Sequence, residues 1–313
     1  MRQMLPAPLA FSTAGLPESR RVELWESHNA AALIGLRCRT LTASVLEATE
    51  INVQLERIHL ARVRGNPHVV ERDQALVRRR PADSIALFLS LAGEAFFYHD
   101  DGVRVVQPGE MLMCDADRPY LRGFSHGLEE LVVKVPRDVF AQVTGLEQVV
   151  RPVVVPFGAG ASSFARALAR VVGAATRFDD PQPADEKGLL ELVAAVTGPD
   201  RGDLVTAYRA AAQAYIDQHL ADPALSAPQV AAAVGISTRH LSRVFGEAGT
   251  SVRQYVLSRR LEAAHSLLER PATTTTVAAV AHRCGFASAA HFSNAFRAHF
   301  GERASDVRRR AGA

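Results

Sequence analysis

The stretch from Val277 to Gly301, VAAVAHRCGFASAAHFSNAFRAHFG, leaves few folds open to the chain around it. Apolar Val277, Val280 and Ala281 recur at helical steps. The run then breaks at Cys284-Gly285-Phe286, and Phe292, Phe296 and Phe300 follow at four-residue spacing. This pattern predicts a helix, a tight turn and a second helix. Gly285 supplies the backbone freedom of a sharp helix end, and Ser288 is placed to cap the second helix. With its phenylalanines inward, that helix leaves Ala290, His291, Asn294 and Arg297 outward, a small, polar and partly basic face suited to a DNA major groove.

One such pair is common in helical bundles, but here it is repeated. LSAPQVAAAVGISTRHLSRVFGEAGTS places Gly235 where the later copy has Gly285. Leu241 and Phe245 stand where it has Phe292 and Phe296, with one residue of offset. Ser226 and Gln229 form a capping box, and Ser237 is the expected cap of a recognition helix from Thr238 to Glu247. On that helix Leu241, Val244 and Phe245 face inward, while Arg239, Ser242 and Arg243 face out. Arginine suits the guanine O6/N7 edge, as Asn294 suits adenine. Between the copies, VRQYVLSRRLEAAHSLLER reads as a helix opened by Ser251 and Gln254 and stopped by Pro271. Such a rod would hold two recognition helices in fixed relation, about 34 Å apart for successive turns of B-DNA. Arg259, Arg260 and Arg297 are phosphate candidates, with intramolecular ion pairs as the alternative.

Charge follows the same division. From Leu204 onward 13 basic residues face 7 acidic ones, whereas the preceding residues carry 23 against 26, so the basic excess lies where phosphate would be met.

These residues give the last third of the chain, about 204–310, a resemblance to the DNA-binding domain of the AraC/XylS family of bacterial transcription regulators. It is carried by Arg260-Leu261, Ala264 and Leu267-Leu268 on the rod. Val280-Ala281, Cys284-Gly285-Phe286, His291-Phe292, Ala295-Phe296 and Phe300-Gly301 carry it in the second copy. Relatives usually have proline at the place of Ala304 and tyrosine at that of Val307. Many have a basic residue where Asn294 stands and proline where Val252 stands. The resemblance implies promoter DNA and RNA polymerase as partners, with activation more common than repression.

The remainder reads differently. A helix is expected around Leu16 to Ala32, then strands from about Asn52 to Val135, with turns at Asp100-Asp101-Gly102 and Pro108-Gly109. Short antiparallel strands at this spacing suggest a small barrel or sandwich, and a barrel mouth is a usual place for a small ligand. LSLAGEAFFYHDDGVRVVQPGEMLMCDADRPYLRGF resembles the cupin-like effector domain of the same family, which implies a small organic effector. After Pro136 three helical segments are expected, to 196. They form the dimer contact in relatives, and simple packing on the barrel is the alternative. Arg118 and Tyr120 are the effector-contact candidates, with a capped strand end as the bland reading.

The expected organisation is therefore a multidomain α and β chain. Residues 1–196 form an effector-binding and dimerising cupin-like antiparallel β-barrel, about 50–136, with flanking helices; 197–203 form a linker, and 204–313 an all-α domain with two helix-turn-helix units. A composition of 48% hydrophobic and 22% charged residues supports folded domains. Cys38, Cys114 and Cys284 are odd in number and widely spaced, which argues against disulfides and zinc. A metal-dependent cupin needs converging histidines. Here Met111, Leu112 and Met113 follow the Pro-Gly turn, and His59, His68, His99 and His126 are scattered, so an enzyme is the distant alternative and no cofactor is called for. With no long apolar run and a short, proline-broken N-terminus, the expected protein is a cytoplasmic regulator, a homodimer without membrane attachment.

Overall fold

The computed structural model describes residues 9–41, 44–198, 204–270 and 276–311. The chain divides into two compact units, Met1–Ala207 and Tyr208–Ala313.

In the first unit the order is β1 (Leu9–Ser12), α1 (Arg21–Ala32), β2 (Arg37–Thr40), β3 (Ala48–Gln54), β4 (His59–Gly65), β5 (His68–Arg72), α2 (Gln74–Arg79), β6 (Ser84–Ala92), β7 (Ala95–His99), β8 (Gly102–Val106), β9 (Glu110–Asp115), β10 (Tyr120–Phe124), β11 (Leu128–Pro136), α3 (Arg137–Thr144), β12 (Val153–Pro156), α4 (Ser163–Ala175) and α5 (Glu186–Thr197). The strands form two antiparallel sheets, ordered β1-β3-β4-β11-β6-β9-β12 and β2-β5-β10-β7-β8. Alternation explains why they face one another. Val132 on β11, Phe88 on β6 and Leu112 on β9 share one core with Phe97, Tyr120 and Phe124 of the smaller sheet. The intervening residues of the larger sheet, such as Leu131, Val133 and Leu87, are buried as well, since α3 and α4 pack against β4, β6 and β11. The third helix after Pro136, α5, packs on α3 and α4. Each large apolar side chain so enclosed contributes roughly 1.5–3 kcal/mol.

The hairpin turn expected at Asp100-Asp101 joins β7 to β8, where His99 pairs with Gly102. Gly109 supplies a positive φ of 90° at the second turn. The first helix is shorter than expected: a 3-10 turn over Glu18–Arg20 precedes it, and it begins at Arg21. Thr197 closes α5, whereas residues 199–203 of the expected linker, and Pro271, lie outside the described residues.

The division between the units falls within α6 (Leu204–Gln218). It is followed by α7 (Ala227–Val234), α8 (Thr238–Gly246), α9 (Val252–Leu268), α10 (Val277–Arg283), α11 (Ala289–Phe300) and α12 (Ala304–Ala311). The capping residues sit as the sequence required. Gln229 and Gln254 accept bonds from the N–H groups of Ser226 and Ser251, and the hydroxyls of Ser237 and Ser288 accept from His240 and His291. Leu261, Ala264, Leu268, Phe292 and Phe296 form one core with Ala304 and Val307, so α12 docks without the proline and tyrosine usual in relatives.

Candidate nucleic-acid interface

Two short helices present the polar faces. On α8, Leu241, Val244 and Phe245 are fully enclosed. That leaves Arg239, Ser242 and Arg243 exposed on the opposite side. Arg239 makes no side-chain hydrogen bond or ion pair among the described residues. Arg243 is lightly held: its Nη2 lies 3.3 Å from His240 Nε2, and its Nε lies 3.9 Å from the Glu247 carboxylate. An exposed pair of this kind is worth only ~0.2–1 kcal/mol, so the guanidinium is available to a stronger partner. Ser242 donates its hydroxyl proton to the Thr238 carbonyl at 3.0 Å and offers only its lone pairs outward.

His240 was not among the residues singled out from sequence. Its ring stands edge-on to Tyr208 of α6, with centroids 5.4 Å apart, while its Nε2 meets Arg243. The signal available was its place three residues before Arg243 on the same helix.

On α11, Phe292 and Phe296 are enclosed. Ala290, His291, Asn294 and Arg297 are all exposed. Asn294 and Arg297 have no side-chain partner among the described residues. Only the His291 ring has a neighbour, Phe286, at 5.9 Å.

Arg259 and Arg260 behave otherwise: both guanidinium groups are engaged within the protein, the alternative weighed for them against phosphate contact. Arg259 is bonded to Asp217 at 2.9 Å and to Glu262 at 2.7 Å. Burial works against its charge, but the Asp217 carboxylate more than offsets this and holds the guanidinium protonated. Arg260 donates to the carbonyls of Leu220 and Asp222. Glu262 is a local i,i+3 partner of Arg259, whereas Asp217, Leu220 and Asp222 lie about forty residues upstream, beyond any local sequence pattern.

The candidate effector residues separate. Tyr120 is buried against Phe97 at 5.5 Å and lines a cavity of about 30 Å³ between the sheets. Arg118 lies in the turn before β10 and does not line that cavity. Arg122, two residues beyond Tyr120 on the same strand face, takes the interior place. Its Nη atoms bind Glu130 at 3.1 and 2.6 Å, and its guanidinium lies 3.9 Å above the Phe88 ring. Burial disfavours the Arg122 charge, but Glu130 more than compensates. Arg122 Nε and Trp25 Nε1 are buried donors without a partner among the described residues, and both residues line this cavity. Its volume suffices for about one water molecule.

Three of the four histidines of this unit singled out from sequence have hydrogen-bond partners within the fold. His59 bonds Asn52 and Gln54, and burial, with Lys134 and His28 nearby, pushes its pKa down to about 4. His68 bonds the Asn66 carbonyl, and His99 pairs with Asp101. His126 lines an open surface groove with Arg64 and Glu129. No helix of the described residues is long and apolar enough to cross a membrane.

A family model described as an AraC-binding-like domain matches residues 25–197, and one described as a helix-turn-helix domain matches residues 230–310. The chain is 27% identical over 261 residues to the transcriptional activator NphR of Rhodococcus sp, covering 78% of this chain and 75% of that protein. It is 37% identical over 98 residues to the transcriptional activator RhrA of Rhizobium meliloti (strain 1021), 31% of each. Among solved structures, the AraC-like transcriptional activator CuxR is similar at 19% identity, with a TM-score of 0.49 over 82% of this chain and 95% of that one.

Proposed function

We propose, for a chain that belongs to the AraC family of DNA-binding transcription regulators, that it reads promoter DNA with the outward faces of α8 and α11 and activates transcription in response to a small organic effector. The observation that carries this reading is the exposure of Arg239 and Arg243 on a helix whose opposite face is fully enclosed, repeated in kind by His291, Asn294 and Arg297 on α11. Arg239, Ser242 and Arg243 read base edges. Ala290, His291 and Asn294 meet the second groove, and Arg297 binds phosphate.

Residues 204–313 form the DNA-binding domain and 1–196 the effector and dimerisation domain, joined by 197–203. The interior between the two sheets carries hydrogen-bond donors at Tyr120, Arg122 and Trp25 among aromatic walls, and the effector enters there by widening a cavity of about 30 Å³. The protein acts as a cytoplasmic homodimer that contacts RNA polymerase. Two relatives named as activators support that sign of regulation.

Selection by the full-length protein from a randomised duplex pool tests the DNA reading. Enrichment of two short boxes about one helical turn apart is expected; binding that enriches no sequence and is simply abolished by salt would overturn it. Thermal shifts across a metabolite panel test the effector, which raises the melting temperature of the state it binds. A flat panel, with dimerisation retained, would leave a regulator whose sheets serve assembly alone.

A further inference from the structure

Three pieces of the C-terminal unit meet at one guanidinium. Arg260 lies on α9, and its Nε donates to the Leu220 carbonyl at 3.0 Å and its Nη2 to the Asp222 carbonyl at 2.6 Å. Both carbonyls belong to the loop between α6 and α7, which leads into the first helix-turn-helix. That loop is closed on itself: Asp222 N–H donates to the His219 carbonyl, Leu225 N–H to the Asp222 carbonyl and Ala224 N–H to the Asp222 carboxylate. Beside it, Arg259 grips Asp217 at the end of α6. Against the same Leu220 carbonyl and the Arg260 guanidinium lies Gly285, the turn of the second helix-turn-helix. It is buried, with a φ of +81°. A β-carbon there would stand 2.3 Å from the Leu220 carbonyl oxygen and 2.9 Å from Arg260 Nε. Loop, rod and second turn are therefore packed backbone against guanidinium, with no room for a side chain between them.

A helical rod fixes the distance between two modules but constrains their rotation about it poorly, because each module touches the rod along one strip of side chains. A tie off the rod axis removes that freedom. Rotation matters on DNA: with 10–10.5 base pairs per turn, one base pair of misregister turns a recognition helix by about 35° around the duplex. A planar guanidinium that bonds two carbonyls of one loop and supports the turn of the other module supplies such a tie, and a lysine at the same place keeps the charge but lacks the rigid fork.

We infer that Arg260 is a positioning residue which locks the second turn to the α6–α7 loop and thereby sets the spacing and helical phase at which α8 and α11 engage DNA together. This rests on the assignment of α8 and α11 as the reading helices.

The test uses the full-length wild-type protein and the variant R260K on three sets of duplexes: the two-box duplex recovered by selection, the same duplex with one, two or five base pairs inserted between the boxes, and duplexes carrying one box. Wild type is expected to lose about tenfold or more in affinity on a one- or two-base-pair insertion, since the second contact is productive only when geometry allows both at once. R260K is expected to lose about tenfold on the native spacing, to stay within about twofold of wild type on single-box duplexes, and to respond to insertions by no more than about threefold. Its salt slope is unchanged. Retention of the native-spacing preference by R260K would overturn the inference. So would an equal loss on one-box and two-box duplexes with a shallower salt slope, which would make Arg260 a phosphate ligand. Circular dichroism and the melting temperature report whether R260K folds. If it does not, the wild-type series decides, since a flat response to insertions overturns a locked geometry and a steep one supports it. Failure of wild type to enrich any two-box duplex removes the reading-helix assignment instead, and the inference with it.

Discussion

In the first helix-turn-helix, α8 buries Leu241, Val244 and Phe245 and presents two arginines. In the second, α11 buries Phe292 and Phe296 and presents Ala290, His291, Asn294 and a single arginine near its end. The cores differ as much as the surfaces. Phe286, Phe292, Phe296 and Phe300 form a ladder with successive ring centroids 5.0, 5.4 and 4.7 Å apart, and His265 of α9 stacks on Phe296 at 5.8 Å. Around α8 the rings meet edge-on instead, Phe245 with Tyr255 at 5.7 Å and His240 with Tyr208 at 5.4 Å. A shared backbone plan thus carries two different surfaces: the first copy presents two arginines, the second a less charged face over a longer aromatic ladder.

Substitutions at matched positions put this contrast at risk, and the cores give the largest effects. Phe296→Ala should cost about 3–5 kcal/mol by urea denaturation of the full-length protein, toward the upper end because it opens the middle of the ladder, with Phe245→Ala toward the lower end. Equal costs would mean that the ladder adds nothing beyond burial. Next come the readers. Arg243→Ala should lose about 1–3 kcal/mol on the selected duplex and relax preference at one base pair, whereas Arg297→Ala should weaken selected and random duplexes alike and reduce the salt slope by about 1. If Arg243→Ala costs the same on random DNA, the first copy is not a base reader and the contrast between the faces fails.

The caps come third. Ser237→Ala and Ser288→Ala should each remove about 1 kcal/mol of stability, because each hydroxyl accepts from an otherwise orphaned N–H at the start of a recognition helix. A cost confined to one copy would show that the other helix is held by its core alone. Smallest is Glu247→Gln, which releases the exposed Arg243 pair and should change stability by no more than about 0.5 kcal/mol in the same denaturation experiment.

What the sequence made legible were features whose causes are local. The caps at Ser226, Ser237, Ser251 and Ser288, the turn at Asp100-Asp101 and the inward faces of α8 and α11 each follow from spacing within a dozen residues. The short edge strands β1, β2 and β12 span four residues each, too few for alternation to register. Helix α6 escaped because its alanine-rich run shows no single apolar stripe. In the candidate sites, the outward arginines of α8 were legible from helical period, whereas Tyr120 stood out only as an effector-contact candidate at a strand end. Arg122 was within reach by strand alternation, but its pairing with Glu130 depends on contact between strands of different sheets. For Arg259 and Arg260 the decisive partners are contributed by another helix and its loop, and no periodicity along α9 distinguishes a solvated arginine from a tethered one.

The two turn glycines carry the same φ, +77° at Gly235 and +81° at Gly285, yet nothing lies within 4 Å of a β-carbon built on the first. Drift at codon 235 toward asparagine therefore meets only a conformational toll, whereas at codon 285 every replacement collides with a carbonyl oxygen. In a saturation library the earlier position should keep a short spectrum of survivors and the later one a single letter, so two turns of like backbone shape differ sharply in what they tolerate.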